Sequence, residues 1–103
     1  MANIKQWLLE FEKEVGEDIE AIVVGVHDRR FLGKPLTDEH IVLTREVGLS
    51  KLDEEFNAGF SGADCFPMYA WTKSFVAFVG EYDGATDLDT VPRHPIACEP
   101  GFK

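Results

Sequence analysis

Paired cysteines are missing from this sequence. Cys65 and Cys98 are its only two, and neither sits in the C-x-x-C spacing of a zinc or redox site. With 45% hydrophobic residues, eight Phe and two Trp, the chain has the apolar area for a core without a bridge or a metal. Two reduced thiols in a cytoplasmic protein are expected, no cofactor is called for, and a Cys65–Cys98 disulfide stays open. Long apolar runs are also lacking: none approaches the ~20 residues of a membrane-spanning helix, and the N-terminal segment leads into an amphipathic pattern rather than a signal-type apolar stretch.

Cations are scarce. Ten basic against nineteen acidic residues leave a net charge of −9, which repels a phosphate backbone and argues against direct nucleic-acid binding. The same charge suits a partner with a basic surface. Recognisable catalytic signatures are absent too: there is no G-x-S-x-G, no G-x-x-x-x-G-K-[ST], no H-E-x-x-H and no calcium loop. An enzymatic reading would rest on dispersed histidines, His27, His40 and His94, with neighbouring carboxylates; the pairing of His94 with Asp83 or Asp89 is the best of these and still ranks last. A metal set of His94, Cys98 and Glu99 would lie in a proline-rich stretch with no second ligand pair.

What is present is periodicity. Ile4, Leu8, Phe11 and Val15 make one helical face, with Asn3 as N-cap, Gly16 as left-handed stop, and Glu10, Glu12 and Glu14 mostly on the solvated side. Residues 19–26 form a β-branched run expected to be a strand covered on both faces or central in a sheet. The stretch from His27 to Glu39 loses its period and reads as an exposed loop. Leu49, Leu52 and Phe56 predict a second helix, capped by Thr44 or Ser50 and ending near Asn57 to Gly62, with Gly48 weakening its first turn. Met68 to Thr72 and Phe75 to Tyr82 predict an antiparallel hairpin turning at Lys73 and Ser74, followed by a turn at Asp83-Gly84. Beyond about residue 85 three prolines predict a mostly irregular tail, anchored by Leu88, Val91, Ile96 and Phe102.

These elements add up to one α+β domain spanning 1–103, two helices packed on one face of a small, mainly antiparallel sheet built from about residues 19–27, 67–72 and 75–82. Alternation puts Tyr69 and Trp71 on one side of the hairpin and Met68, Ala70 and Thr72 on the other. One set can pack a helix while the other serves as a stacking platform, flanked by Tyr82, Asp83, Thr86 and Arg93 as binding groups where hairpin end, turn and tail meet.

The segments Ala63-Asp64-Cys65, Tyr69-Ala70-Trp71-Thr72, Tyr82-Asp83-Gly84-Ala85-Thr86 and Val91-Pro92-Arg93 with Pro95 resemble a group of small accessory proteins encoded by bacteriophages and other mobile elements. The resemblance covers roughly the C-terminal 40 residues and implies a context rather than a chemistry: such proteins often block a host defence assembly or sequester a nucleotide signal. The leading expectation is therefore a non-enzymatic protein that binds and inhibits a host protein assembly. The alternative is a small-molecule protein holding a nucleotide or other planar ligand against Tyr69, Trp71 or Tyr82, which a convergence of Arg29, Arg30, Arg45 and Arg93 would favour.

Overall fold

The computed structural model describes residues 2–25, 40–59, 65–82 and 84–101. Among these the order is β1 (Ala2–Asn3), α1 (Ile4–Val15), β2 (Ala21–Val24), α2 (Arg45–Lys51), β3 (Glu55–Phe56), β4 (Met68–Trp71), β5 (Phe75–Tyr82) and β6 (Ala85–Pro92). A four-stranded antiparallel sheet runs β2-β4-β5-β6, and β1 and β3 form a second, two-stranded one. This is an α+β fold of two helices and mainly antiparallel strands.

The first helix forms as its caps dictate. Asn3 Oδ1 accepts from the Gln6 N–H at 3.2 Å, and Gly16 closes the C-terminus at φ 69, donating to the Glu12 carbonyl. That left-handed angle is one only glycine takes without strain. The face made by Ile4, Leu8 and Phe11 is buried. It meets the sheet face formed by Ile22, Val24, Met68, Ala70 and Ala77, which register and burial put on one side. Phe11 stacks edge-on against Phe75 at 6.4 Å, and Trp7 does the same with Phe56 at 5.4 Å. Burying such aromatic pairs drives the packing, with about 0.5–1.5 kcal/mol per pair beyond area burial.

α2 begins at Thr44, whose hydroxyl accepts from the Val47 N–H, and covers the same sheet face. A Cβ on Gly48 would lie 2.6 Å from the Cβ of Ile22. The glycine that weakens helix propensity is therefore what lets α2 approach β2. The helix stops at Leu52 rather than running on to Asn57: Asp53 and Glu54 break the apolar period, and Phe56 reaches the core from β3 instead.

Two further expectations are corrected. Among the described residues β2 is not central but terminal in the sheet order, its outer edge covered by the Ile22–Leu43 bridge and by the His40 N–H, which donates to the Val24 carbonyl at 2.9 Å. A short edge strand keeps a β-branched run when one face is fully buried and the other half covered. The tail is not irregular from residue 85. Residues 85–92 pair with β5 along all eight positions, and irregular chain begins only after Pro92. Pro92 fits because it occupies the last position of an edge strand, where its nitrogen faces away from β5 and no ladder donor is missing. Of the proposed anchors, Leu88 packs against the core, Val91 and Ile96 are exposed, and Phe102 lies outside the described residues. The His27 to Glu39 stretch lies outside them as well. Cys65 and Cys98 are free thiols, the first half-buried and the second exposed.

Candidate functional site

The site residues expected from sequence do not converge. β5 and β6 are joined at Gly84, which turns at φ 83. Tyr82 and Thr86 sit at that end, whereas Arg93 follows the other end, beside the turn between β4 and β5. Seven steps of about 3.3 Å separate the two ends, roughly 23 Å. Asp83 lies outside the described residues. The error has one cause: reading 85–92 as irregular chain allowed the tail to fold back to the turn, and a strand carries it away.

Arg93 is a fastening. Its Nη1 donates to Glu20 Oε1 at 2.6 Å and to the Thr72 carbonyl at 2.9 Å, while its N–H donates to the Ser74 carbonyl at 2.9 Å. Ser74 donates from N–H and hydroxyl to Glu17 at 3.1 and 2.7 Å. The Ser74 hydroxyl first, then the Thr72 hydroxyl, hold the Glu17 carboxyl below its ordinary range. Arg45 is likewise engaged. Its Nε and Nη2 donate to the two oxygens of Glu12 at 2.8 and 2.7 Å, and the Ile19 N–H adds a third bond at 2.8 Å. The Arg45 guanidinium is the main reason the Glu12 carboxyl is held below its usual range, against the opposing effect of burial. Glu12 is thus an anchor, not a solvated residue, and each of these two arginines serves a different carboxylate. Arg29 and Arg30 lie outside the described residues.

Thr86 faces inward. It is 5% exposed, its N–H donates to the Ala58 carbonyl at 2.9 Å, and its hydroxyl oxygen has no hydrogen-bond partner among the described residues. A buried hydroxyl in that state lowers stability. For the enzymatic reading, Asp89 leans over Gly80, where a Cβ would fall on its carboxylate. That is toward the Gly84 turn and away from His94, so the two do not form a pair.

The aromatic residues do come together. Register puts Ala21, Trp71, Val76 and Val91 in one row across the outer sheet face, and Val23, Tyr69 and Phe78 in the next. Tyr69 is 55% exposed and meets Trp71 edge-on at 6.0 Å. Val91 is exposed, while Trp71, Val76 and Phe78 are half-buried. Tyr82 shares this face but stands apart, 83% exposed beside the turn. Val76 and Phe78 were missed, although Phe75 to Val79 is apolar at every position, a sign of a strand with two apolar faces.

A second feature lies on the opposite side. A cavity of about 340 Å³ opens between α1 and β6, lined by Trp7, Phe11 and Leu88 and by the acidic Glu10, Glu14 and Asp87. The stripe from Trp7 through Glu10 and Phe11 to Glu14 is one helical face in sequence, half apolar and half acidic. Among the described residues no group of three His, Cys, Asp or Glu side chains is placed to hold a metal ion, and no helix is long and apolar enough to cross a membrane.

Set against protein-family models, against curated proteins and against solved structures, the chain finds no match in any of the three.

Proposed function

We propose that this chain is a non-enzymatic binding protein whose outer sheet face docks on another protein, with a phage-type accessory role, inhibition of a host defence assembly, as its setting. The observation that carries the docking reading is the apolar strip of Tyr69, Trp71, Val76, Phe78 and Val91, half-buried to exposed on one sheet face. Tyr and Trp supply rigid contact area with a polar tip, the residue types that dominate protein interfaces. The setting rests on the C-terminal resemblance and on the acidic charge, which complements basic host surfaces built for nucleic acid.

The rival is sequestration of a nucleotide or other planar ligand. It loses ground because a phosphate needs guanidinium forks, and Arg45 and Arg93 are already committed to Glu12 and Glu20. The test is affinity capture on the wild type and on Tyr69→Ala and Trp71→Ala, paired with mass spectrometry of small molecules released on denaturation. A defined protein assembly should be retained by the wild type and weakened at least tenfold, about 1.4 kcal/mol, by either substitution at unchanged melting temperature. A planar metabolite released in stoichiometric amount, with no protein retained, would overturn the docking reading in favour of sequestration.

A further inference from the structure

The strand β6 ends the four-stranded sheet, so among the described residues one of its edges has no neighbouring strand. Its polarity can be worked out. The Thr86 N–H leaves the β5 side and donates to Ala58, while the Arg93 N–H turns inward to Ser74. Alternation then points the N–H and C=O groups of Leu88 and Thr90 outward, away from β5. The stretch is bounded on both sides: the Ala58 contact covers the edge at Thr86, and Pro92 has no donor to offer. Leu88 and Thr90 also line the cavity beneath α1. Backbone groups without a partner among the described residues and a side-chain receptacle thus occupy one place.

We propose that this edge takes an extended peptide segment of a partner protein, added antiparallel or parallel as a fifth strand, with basic side chains alternating with apolar ones. Backbone bonds to Leu88 and Thr90 hold the strand. Side chains turned toward α1 enter the cavity, where the stem of a Lys or Arg lies along Trp7, Phe11 and Leu88 and its cationic head reaches Glu10 and Glu14. Strand addition draws affinity from main-chain bonds and specificity from such alternate receptacles. The charge selects the occupant. Glu10 and Glu14 are exposed and have no cationic partner among the described residues, and Asp87 adds a third carboxylate to the lining. A second copy of this chain, at net charge −9, would bring like charge to the same edge.

Acidic residues beside an edge strand also discourage aggregation, and the experiment separates the two roles. Amide hydrogen exchange and NMR shifts are followed while a short capped peptide of alternating Lys and Val is titrated into the full chain. Controls are the Glu/Val peptide and a Lys/Val peptide N-methylated at alternate amides, which cannot pair along one edge. The proposal expects the Lys/Val peptide to slow exchange at Leu88 and Thr90 selectively. Affinity should fall at least tenfold with N-methylation, and as much in the double variant Glu10→Gln/Glu14→Gln. Thr90→Pro removes an outward donor without touching the β5–β6 ladder and should also weaken binding at least tenfold, whereas Tyr69→Ala should leave it unchanged. Absence of protection at millimolar peptide, or equal binding of the Glu/Val or N-methylated peptide, would overturn the proposal. So would protection at Leu88 and Thr90 without peptide, accompanied by a dimer mass, which would make a second copy the occupant.

Discussion

The two ends of the β5–β6 hairpin use similar residue types to opposite purposes. At the Ser74 end every prominent polar group is engaged: Arg93 with Glu20 and the Thr72 carbonyl, Ser74 with Glu17, and, one connection away, Arg45 with Glu12. Through Glu17, Ile19 and Glu20 the chain from Gly16 to Glu20 takes part in this set, and Phe75 locks the same end onto Phe11. At the Gly84 end Tyr82 stands in solvent and the Thr86 hydroxyl is buried without a partner among the described residues. One end is built to hold the sheet to the helix. The other leaves the exposed Tyr82 ring outside that scaffold.

Substitutions can break this contrast, beginning with the largest effect. Phe11→Asp puts a carboxylate between α1 and the Ser74 end; we expect a loss of about 4 kcal/mol or more, read as a collapsed denaturant midpoint, because an unpaired buried charge joins a lost aromatic contact. Glu12→Gln should cost about 2–3 kcal/mol at neutral pH, since it takes the charge from three hydrogen bonds on a side chain that is 10% exposed. Its pH dependence has a definite sign. The folded Glu12 carboxyl titrates below its unfolded value, so its stabilisation is complete above about pH 4.3 and fades as acid drives pH down through the lower folded value. The stability curves of the wild type and of the Glu12→Gln variant should therefore converge below about pH 4; parallel curves would dismiss the ion pair as a contributor.

Arg93→Ala should be milder, about 1 kcal/mol, because its ion pair with Glu20 is a third to a half exposed and the bond to the Thr72 carbonyl is the more protected part. At the Gly84 end the sign should reverse. Thr86→Val replaces an unpartnered hydroxyl by a methyl of the same shape and should raise stability by about 0.5–1 kcal/mol in thermal melts; a fall would mean that the hydroxyl has a partner. The smallest effect belongs to Tyr82→Ala, within about 0.5 kcal/mol.

How far these roles were legible in the sequence depends on what each residue's neighbours had to be. Caps and periodicity of α1 are local, and Asn3, Gly16 and the buried stripe are where a reader of the sequence would put them. The hairpin at Lys73-Ser74 is equally local, and Tyr69 and Trp71 do share an outer face. β6 was hidden by the prolines at and beyond its end and by Asp87 and Asp89, residues poor in strand propensity that an edge strand tolerates. Its alternation of Thr86, Leu88 and Thr90 with the two aspartates was nonetheless a period-2 signal. Glu12 and Arg93 could not be assigned locally, since their partners lie 33 and 73 residues away.

The contact between Gly48 and Ile22 sets a limit on how this chain can vary. A new Cβ at position 48 would strike the Cβ of Ile22 itself, in addition to its outer methyl groups. Trimming residue 22 to valine removes the outermost carbon and to alanine all the carbons beyond Cβ, and both leave the Cβ where it is. Ordinary overpacking can be relieved by a smaller neighbour, but here the obstacle is an atom that every residue except glycine carries. Only glycine at 22 would clear that atom, and it would empty a fully buried core position. Libraries randomised at both positions should return glycine at 48 beside every side chain that position 22 can carry, an epistatic dead end created by the absence of one carbon.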